Sequence, residues 1–207
     1  MNVLLFARSY EGMAGGIEKM TLLIAKGLVA RGHKVVITSI DSVEAKSFYE
    51  WPEEVLWEKI SFGDAEVKAT TKIRIQRATA LRNIVKKYQI STAIGFQVGS
   101  FALIRLATFG LRIRVVAAER NAPTLFNFIR HGRFKRFFAN LILLNASGVA
   151  VQFPNYKEYY PWFLRGKILN TPNPVLPPKR IRQIGPRDNS RIQLLFVGRL
   201  TFQKNLE

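Results

Sequence analysis

Residues 2–40 of the chain read NVLLFARSYEGMAGGIEKMTLLIAKGLVARGHKVVITSI, and they decide the fold class. Asn2–Arg8 is a largely apolar run that predicts a buried strand, and Ile17–Arg31 has the apolar spacing of an amphipathic helix. A Gly-His pair then stops the helix, and the β-branched run Lys34–Ile40 predicts a second strand. Strand, helix and strand in this order make one βαβ unit, whose two strands run parallel.

The same alternation of strands and helices continues as far as Leu169. It predicts an α/β fold with a doubly wound, mostly parallel, Rossmann-like sheet and helices on both faces. After the first unit we expect a strand near Val55–Ile60, a helix near Thr71–Tyr88, a strand at Thr92–Phe96, a helix at Ser100–Phe109, a strand at Ile113–Ala118, a helical region around Leu125–Leu144, a strand at Gly148–Gln152, a short helix at Asn155–Phe163 and a strand at Lys167–Leu169.

A domain boundary is expected near residue 175. Asn173–Pro178 is a stiff, proline-rich segment, and the basic stretch after it has the composition of a linker. We therefore expect a Rossmann-like domain at 1–175, a linker at 176–190 and the first strand of a second α/β domain at 191–207. One strand cannot form a domain, so the second domain is expected to be cut short in this chain.

The positive charge of the chain is concentrated in its later two thirds. The formal net charge is +18, yet residues 1–66 carry seven Lys/Arg against ten Asp/Glu, whereas residues 67–207 carry twenty-five against four. No acid lies between Glu66 and Glu119. The field of that region favours an anionic partner such as phosphate, anionic lipid or nucleic acid, and charge alone does not choose among them.

The apolar runs of the sequence are too short to cross a membrane. Phe101–Phe109 is interrupted by Arg105, and Leu141–Phe153 by Asn145, so neither reaches about 18 apolar residues. The N-terminus has neither a basic leader nor a cleavage site, which predicts a cytoplasmic protein. The sequence has no cysteine, which excludes disulfides and thiolate metal sites.

The loop after the first strand, Ser9–Gly16, is a candidate phosphate site. Open α/β sheets bind ligands beyond the carboxyl ends of their strands. Gly15 and Gly16 would let backbone N–H groups approach a phosphate at the positive end of the helix, although two glycines can also simply permit a tight turn. Asp41 imitates the ribose-binding acid of a dinucleotide fold, but the glycine spacing does not match that motif, so Asp41 is expected to be a solvated strand-end residue.

Two further groups of polar residues follow predicted strands. Glu119, Arg120 and Asn121 come directly after the fifth strand, where they either contact a polar substrate or form a local surface arrangement beside a turn. Arg199 and Lys204 follow the last predicted strand, where they are either solvated cations or the groups that neutralise a diphosphate leaving group.

Four motifs occur in a particular order along the chain: Gly15–Glu18, Arg31–Val35, Asn173–Pro174, and Val197–Leu200 with Lys204–Asn205. In this order and spacing the chain resembles the N-terminal half of retaining glycosyltransferases of family four, which have the two-domain GT-B fold. The resemblance spans nearly all 207 residues. It implies an enzyme that transfers a hexose from a nucleotide-diphosphate sugar to a glycan or lipid-linked acceptor with retention of configuration.

The resemblance also implies roles for individual residues. Arg199 and Lys204 correspond to the pair that binds the donor diphosphate, with Gly15 and Gly16 lining the cleft opposite. The expected donor is a UDP-sugar rather than a GDP-sugar, and no metal or other cofactor is required.

In many relatives a histidine occupies the loop where this chain has Glu119-Arg120-Asn121. This departure means that the resemblance assigns no role to Arg120. By their position after the fifth strand the three residues are candidates for acceptor contact, and the catalytic residues stay unassigned. The paired glutamates of the family belong to the second domain. Residues up to Glu207 are consequently not expected to catalyse turnover by themselves.

Two of the predicted helices are strongly basic and amphipathic, and they suggest a membrane surface. The second has Phe134, Phe137, Phe138 and Leu141 at helical spacing among cations. Such a pattern suits an anionic membrane, which would place the enzyme on the inner face of the cytoplasmic membrane beside a lipid-diphosphate-linked acceptor. The alternative is that the apolar stripes pack on the sheet and the cations are solvated. The candidate membrane residues are Lys72, Arg74, Arg130, Arg133, Lys135 and Arg136.

A non-catalytic basic α/β module that binds anionic lipid or nucleic acid is the competing interpretation. The charge would suit phosphate backbones. However, the aromatic residues are expected to be buried at helical spacing instead of displayed for base stacking, and the sequence contains no recognised nucleic-acid motif. We therefore expect no nucleic-acid partner.

Overall fold

A parallel sheet organises the part of the chain that the computed structural model describes, residues 1–12 and 14–174. Its strand order is β3-β2-β1-β4-β5-β6-β7, and each neighbouring pair is parallel. The predicted α/β class is confirmed. The strands are β1 (Asn2–Phe6), β2 (Lys34–Ser39), β3 (Val55–Lys59), β4 (Thr92–Phe96), β5 (Arg114–Ala118), β6 (Gly148–Val151) and β7 (Ile168–Asn170).

Helices cover both faces of this sheet. Side chains alternate along each strand, so that Leu4 and Phe6 enter one core cluster and Val3 and Leu5 the other. The first cluster contains residues of α2, α3 and α4, and the second contains residues of α1. The α-helices are α1 (Gly16–Val29), α2 (Thr71–Lys87), α3 (Gln97–Ala107), α4 (Gly132–Leu143) and α5 (Trp162–Arg165), with 3₁₀ segments at Pro123–Phe128 and Pro154–Tyr159.

Helix α3 begins three residues before the predicted start at Ser100. Gln97 has a positive φ of 69°, which turns the chain directly from β4 into the helix. A side chain at Gly95 would lie 2.7 Å from the backbone of Phe101, so the glycine permits the close approach of strand and helix. This turn brings the first residues of α3 to the carboxyl edge of the sheet.

The helical region predicted around Leu125–Leu144 is two elements rather than one. The 3₁₀ segment ends at Phe128, and α4 starts at Gly132 after a left-handed residue, His131, with a φ of 56°. The helix predicted at Asn155–Phe163 is likewise divided, because the residue before a proline is restricted to extended backbone and Pro161 follows Tyr160.

Met1–Asn173 forms one compact unit. The predicted linker at 176–190 and the predicted start of a second domain at 191–207 lie outside the described residues, as do Arg199 and Lys204. The boundary near residue 175 stays a prediction.

Candidate functional site

The sheet order locates a crevice at the carboxyl ends of β1 and β4. These strands are neighbours, yet the chain continues from β1 towards β2 on one side and from β4 towards β5 on the other. The loops after them therefore separate, and such a switch point is where open α/β sheets bind ligands. The β1–α1 loop, the start of α3 and the loop after β5 all border this edge.

A buried carboxylate organises the loop after β1. Asp41 is only 4% exposed, and it accepts hydrogen bonds from the Ser9 hydroxyl and from the Tyr10 backbone N–H, the latter at 2.8 Å. The Tyr10 ring is fully buried, and its hydroxyl lies 3.3 Å from that of Thr21 on α1. The expectation that Asp41 is a solvated strand-end residue is wrong, because the side chain is buried and its oxygens accept hydrogen bonds from the loop.

Gly15 and Gly16 differ in what their surroundings require. A Cβ at Gly15 would lie 2.3 Å from a carboxylate oxygen of Glu18, which is itself buried in the first turn of α1. A Cβ at Gly16 would meet no atom within 4 Å. Packing thus explains the glycine at 15 but not at 16, where the open space beside the helix N-terminus would admit a ligand. The Glu18 carboxylate would have to move if an anion were bound beside Gly15.

Glu119 presents a largely buried carboxyl group directly after β5. Its Oε1 atom is shielded from solvent and has no hydrogen-bond partner. Burial raises the pKa of Glu119 to about 7, and the nearby backbone N–H of Val98 at the start of α3 only partly offsets this. A carboxyl group of this kind changes charge near neutral pH, which is common at functional sites.

Arg120 and Asn121 have different environments from Glu119. The Arg120 Nη1 atom donates to the carbonyl of Thr171 at 3.2 Å and to the side-chain oxygen of Asn173 at 3.1 Å. Burial lowers the pKa of Arg120, and its Nε atom has no partner. Asn121 is exposed. The alternative of a local Glu119–Arg120 surface arrangement does not describe this geometry, because the carboxyl points into a cleft and the guanidinium holds the segment after β7.

The cleft beside Glu119 has a volume of about 190 Å³. It is bounded by the start of α3, the 3₁₀ segment before α4, α4 itself and the tyrosines before α5. Arg136 lines it, and the guanidinium donates to the Tyr159 carbonyl. Burial raises the pKa of Tyr160, so that its hydroxyl stays protonated. The lining residues are Gln97, Val98, Gly99, Glu119, Asn121, Ala122, Pro123, Leu125, Phe126, Arg136, Ala139, Asn140, Leu143, Tyr159 and Tyr160.

Several of these cleft residues were not identified from the sequence. Gly99, just after the strand predicted at Thr92–Phe96, was a usable signal for Gln97 and Val98, since it resembles the glycines of the β1–α1 loop. No such signal marked Asn140, Tyr159 or Tyr160. Their positions depend on the breaks in the chain before α4 and before α5, which were not predicted. The described residues contain no group of three or more His, Asp or Glu side chains that could hold a metal ion.

Helices α2 and α4 present their apolar residues differently. In α2 the residues Ala78, Leu81, Ile84 and Val85 are buried against the sheet. In α4 the predicted stripe lies in solvent, with exposed fractions of 66% at Phe134, 58% at Phe137, 45% at Phe138 and 38% at Leu141. The expectation that the aromatic residues are buried is therefore wrong for α4.

The cations proposed for a membrane surface are not equivalent either. Arg136 is only partly exposed and is bound to the Tyr159 carbonyl. Arg77, on the same helix as Lys72 and Arg74, is buried and donates to the carbonyls of Phe62 and Asp64. Among the described helices, none is long and apolar enough to span a bilayer. The exposed candidate cations are Lys72, Arg74, Arg130, Arg133 and Lys135.

The fold defines a structural class. Its parallel sheet with helices on both faces matches the N-terminal domain of GT-B glycosyltransferases, as the sequence resemblance predicted. No protein-family model and no curated protein sequence matches the chain. Assignment to family four and retention of configuration stay predictions.

Three solved structures illustrate the likeness. Sucrose-phosphate synthase from Thermosynechococcus elongatus has a TM-score of 0.63 at 13% identity, over 76% of this chain and 44% of that one. The lipopolysaccharide outer core galactosyltransferase WaaB has a TM-score of 0.62 at 15% identity, over 92% and 50%. HepE from Anabaena, in complex with UDP and glucose, has a TM-score of 0.59 at 12% identity, over 83% and 44%. The chain thus spans at most half the length of these proteins.

Proposed function

We propose that this chain supplies the acceptor side of a glycosyltransferase. The enzyme would transfer a hexose from a nucleotide-diphosphate sugar to a glycan or lipid-linked acceptor with retention of configuration. The sheet order is the observation that carries the proposal, because it brings the β1–α1 loop, the α3 start and Glu119 to one ligand-binding edge. The fold is that of a domain found in transferases, and fold by itself does not fix chemistry.

The donor phosphates would be bound by backbone and cationic groups. The open space at Gly16 lets a phosphate oxygen approach the N–H groups of the first turn of α1. Arg199 and Lys204, which lie outside the described residues, are proposed to neutralise the diphosphate as it leaves. Stabilisation of this kind needs no metal ion. The acceptor hydroxyl then attacks the anomeric carbon from the face that the diphosphate leaves, and its proton passes to the departing diphosphate.

Titration calorimetry tests the donor site. The protein expressed from its complete reading frame should bind a UDP-hexose more tightly than a GDP-hexose. Gly16→Ala should weaken this binding at least tenfold without loss of stability, because the added methyl group meets only a ligand. Gly166→Ala, also at an open position, is the matched control and should bind normally. If no nucleotide sugar binds to the wild-type protein, the transferase assignment is wrong.

We further propose that the exposed face of α4 contacts an anionic membrane. Phe134, Phe137 and Phe138 lie on this face, with Arg133 and Lys135 beside them. Apolar side chains enter the acyl boundary while each nearby cation contributes about 1 kcal/mol on an anionic surface. The Phe138 ring packs edge-on against those of Phe134 and Phe137, with centroids 4.6 and 5.6 Å apart.

Vesicle sedimentation tests the membrane proposal. Vesicles of phosphatidylcholine with phosphatidylglycerol should bind the protein, and vesicles of phosphatidylcholine alone should not. Reversing the charge at Arg130 and Arg133 should abolish binding, whereas reversal at Lys19 and Lys26 of α1 is the matched control. Binding that ignores phosphatidylglycerol would overturn the proposal. Tighter binding to a single-stranded oligonucleotide than to the vesicles would favour the nucleic-acid alternative instead.

A further inference from the structure

We propose that the Glu119 cleft binds one uncharged sugar ring, a hydroxyl group of which donates a hydrogen bond to the Glu119 carboxylate. This inference rests on the proposed function and specifies its acceptor side. It makes Glu119 a positioning residue for a neutral hydroxyl-bearing ring rather than part of a phosphate site.

The Glu119 carboxyl lacks a partner that such a ring can supply. The oxygen Oε1 is buried and accepts no hydrogen bond from the described residues. An unpaired buried polar atom costs about 1–3 kcal/mol, and hydrogen bonds to ionised acceptors are about twice as strong as neutral ones. A ligand hydroxyl that donates to Oε1 would therefore supply a hydrogen bond that the described residues do not provide.

The size of the cleft limits the ligand. Sites for drug-sized ligands occupy about 300–1,000 Å³, and the cleft measures about 190 Å³. A single ring is compatible with this volume. The lining combines the apolar side chains of Pro123 and Leu125 with the amides of Asn121 and Asn140. Apolar surface beside a few polar groups suits a sugar, which has C–H faces and a hydroxyl rim.

The charges around the cleft disfavour an anionic ligand. Glu119 itself becomes negative as it ionises, and no ion pair joins it to a cation in the described part of the chain. Arg136 of α4 lines the cleft, but its guanidinium donates to the Tyr159 carbonyl. Arg120 is directed to Thr171 and Asn173, and Tyr160 is neutral. The α3 residues that line the cleft are uncharged. An ionised Glu119 carboxylate would thus repel a phosphate, whereas it would not repel an uncharged ring.

The ionisation of Glu119 should make the affinity for the sugar depend on pH. Because burial raises the pKa of Glu119 to about 7, the carboxyl is mostly protonated at pH 6 and mostly ionised at pH 8. A hydroxyl that donates to the carboxylate binds the ionised form. The affinity for the sugar should then rise by up to about tenfold between pH 6 and pH 8, as the ionised fraction does.

The experiment is saturation-transfer NMR on the full 207-residue chain, with methyl glycosides of glucose, galactose, mannose and N-acetylglucosamine as probes. At least one glycoside should bind, and more tightly at pH 8 than at pH 6. Glu119→Gln keeps the shape of the side chain, so it should bind several-fold more weakly at pH 8 and show no pH dependence. Glu158→Gln removes an exposed acid and is the matched control, with wild-type affinity and pH profile.

Three outcomes would overturn the inference. These are no binding of any glycoside, an unchanged pH profile in Glu119→Gln, or displacement of the bound glycoside by inorganic phosphate at a lower concentration than that of the glycoside. Circular dichroism of each variant separates loss of the site from loss of the fold. The donor titration is independent of this experiment. Binding of nucleotide sugars without glycoside binding rejects only the ring site, and the reverse result rejects only the transferase assignment.

Discussion

Helices α2 and α4 look alike in the sequence and behave differently in the structure. Both are basic and both carry an apolar stripe at helical spacing. Helix α2 buries most of its stripe, with Leu81 fully inaccessible to solvent, although Ile75 near its start is 59% exposed. Helix α4 instead buries Gly132, Ala139 and Leu143 and exposes its phenylalanines. Amphipathic spacing therefore predicts that a helix has an apolar face, but it does not show which face the core accepts.

The geometry of α4 explains the difference. At 100° per residue, Gly132, Ala139 and Leu143 fall on one side of the helix, and the stripe around Phe137 lies about 180° away. Gly132 lies against the preceding 3₁₀ segment, where a Cβ would lie 1.6 Å from the Phe126 carbonyl oxygen. This close approach turns the same side of α4 inward, and Leu143 fills the core there.

The largest expected effect is the difference in stability loss between a substitution in the apolar stripe of α2 and one in that of α4. Leu81→Ala in α2 should lower the free energy of unfolding by about 3 kcal/mol, because it removes buried methyl groups and leaves a cavity. Phe137→Ala in α4 should change it by less than about 0.5 kcal/mol, since the ring is mostly in solvent. Urea unfolding measures both. Equal losses for the two variants would show that the α4 stripe is covered in solution.

A substitution at Gly132 should disrupt the close approach of α4 to the preceding 3₁₀ segment. Gly132→Ala should cost about 2–3 kcal/mol, because the added carbon overlaps the Phe126 carbonyl and the helix must shift. Gly99→Ala in α3 is the control, where a Cβ meets no atom within 4 Å and helix propensity favours alanine. The same unfolding assay applies. A neutral Gly132→Ala would mean that the 3₁₀ segment does not hold α4 in this position.

The two helices also differ in whether the buried ionisable group associated with them is hydrogen-bonded. Arg77 of α2 donates to two carbonyls, whereas Glu119 beside α4 has an unpartnered oxygen. The folded-state pKa of Glu119 is raised from its ordinary 4.5 to about 7, so the native state binds the proton more tightly than the unfolded state does. Its contribution to stability is fully present below pH 4.5 and is lost as the pH rises through 7.

The full shift of the Glu119 pKa is worth about 3 kcal/mol, and solvent screening of this partly exposed residue reduces it to about 1–2 kcal/mol. The difference in unfolding free energy between Glu119→Gln and the wild type should therefore grow in favour of the variant by that amount from pH 4.5 to pH 8. Paired urea titrations across this range measure it. A difference that does not change with pH would mean that the carboxyl is solvated.

Local sequence signals predicted the sheet well and the site only in part. Strand runs such as Lys34–Ile40 are buried on both faces, so their composition alone reveals them. Glu119 could be placed at the correct edge because it follows a strand. Its burial could not be predicted, since that depends on Val98 and Tyr160, which come from other elements. The break before α4 was missed because a left-handed histidine has no composition signal.

The smallest expected effect compares single cations on the two helices. Lys135 of α4 lies beside the exposed phenylalanines, whereas Lys86 lies near the end of α2, whose stripe is buried. A cation near an anionic bilayer contributes about 1 kcal/mol, so Lys135→Gln should weaken binding to phosphatidylglycerol-containing vesicles about fivefold. Lys86→Gln makes the same charge change and should weaken it less than twofold. Equal losses would show that the net charge of the domain, and not the α4 face, determines its attraction to the membrane.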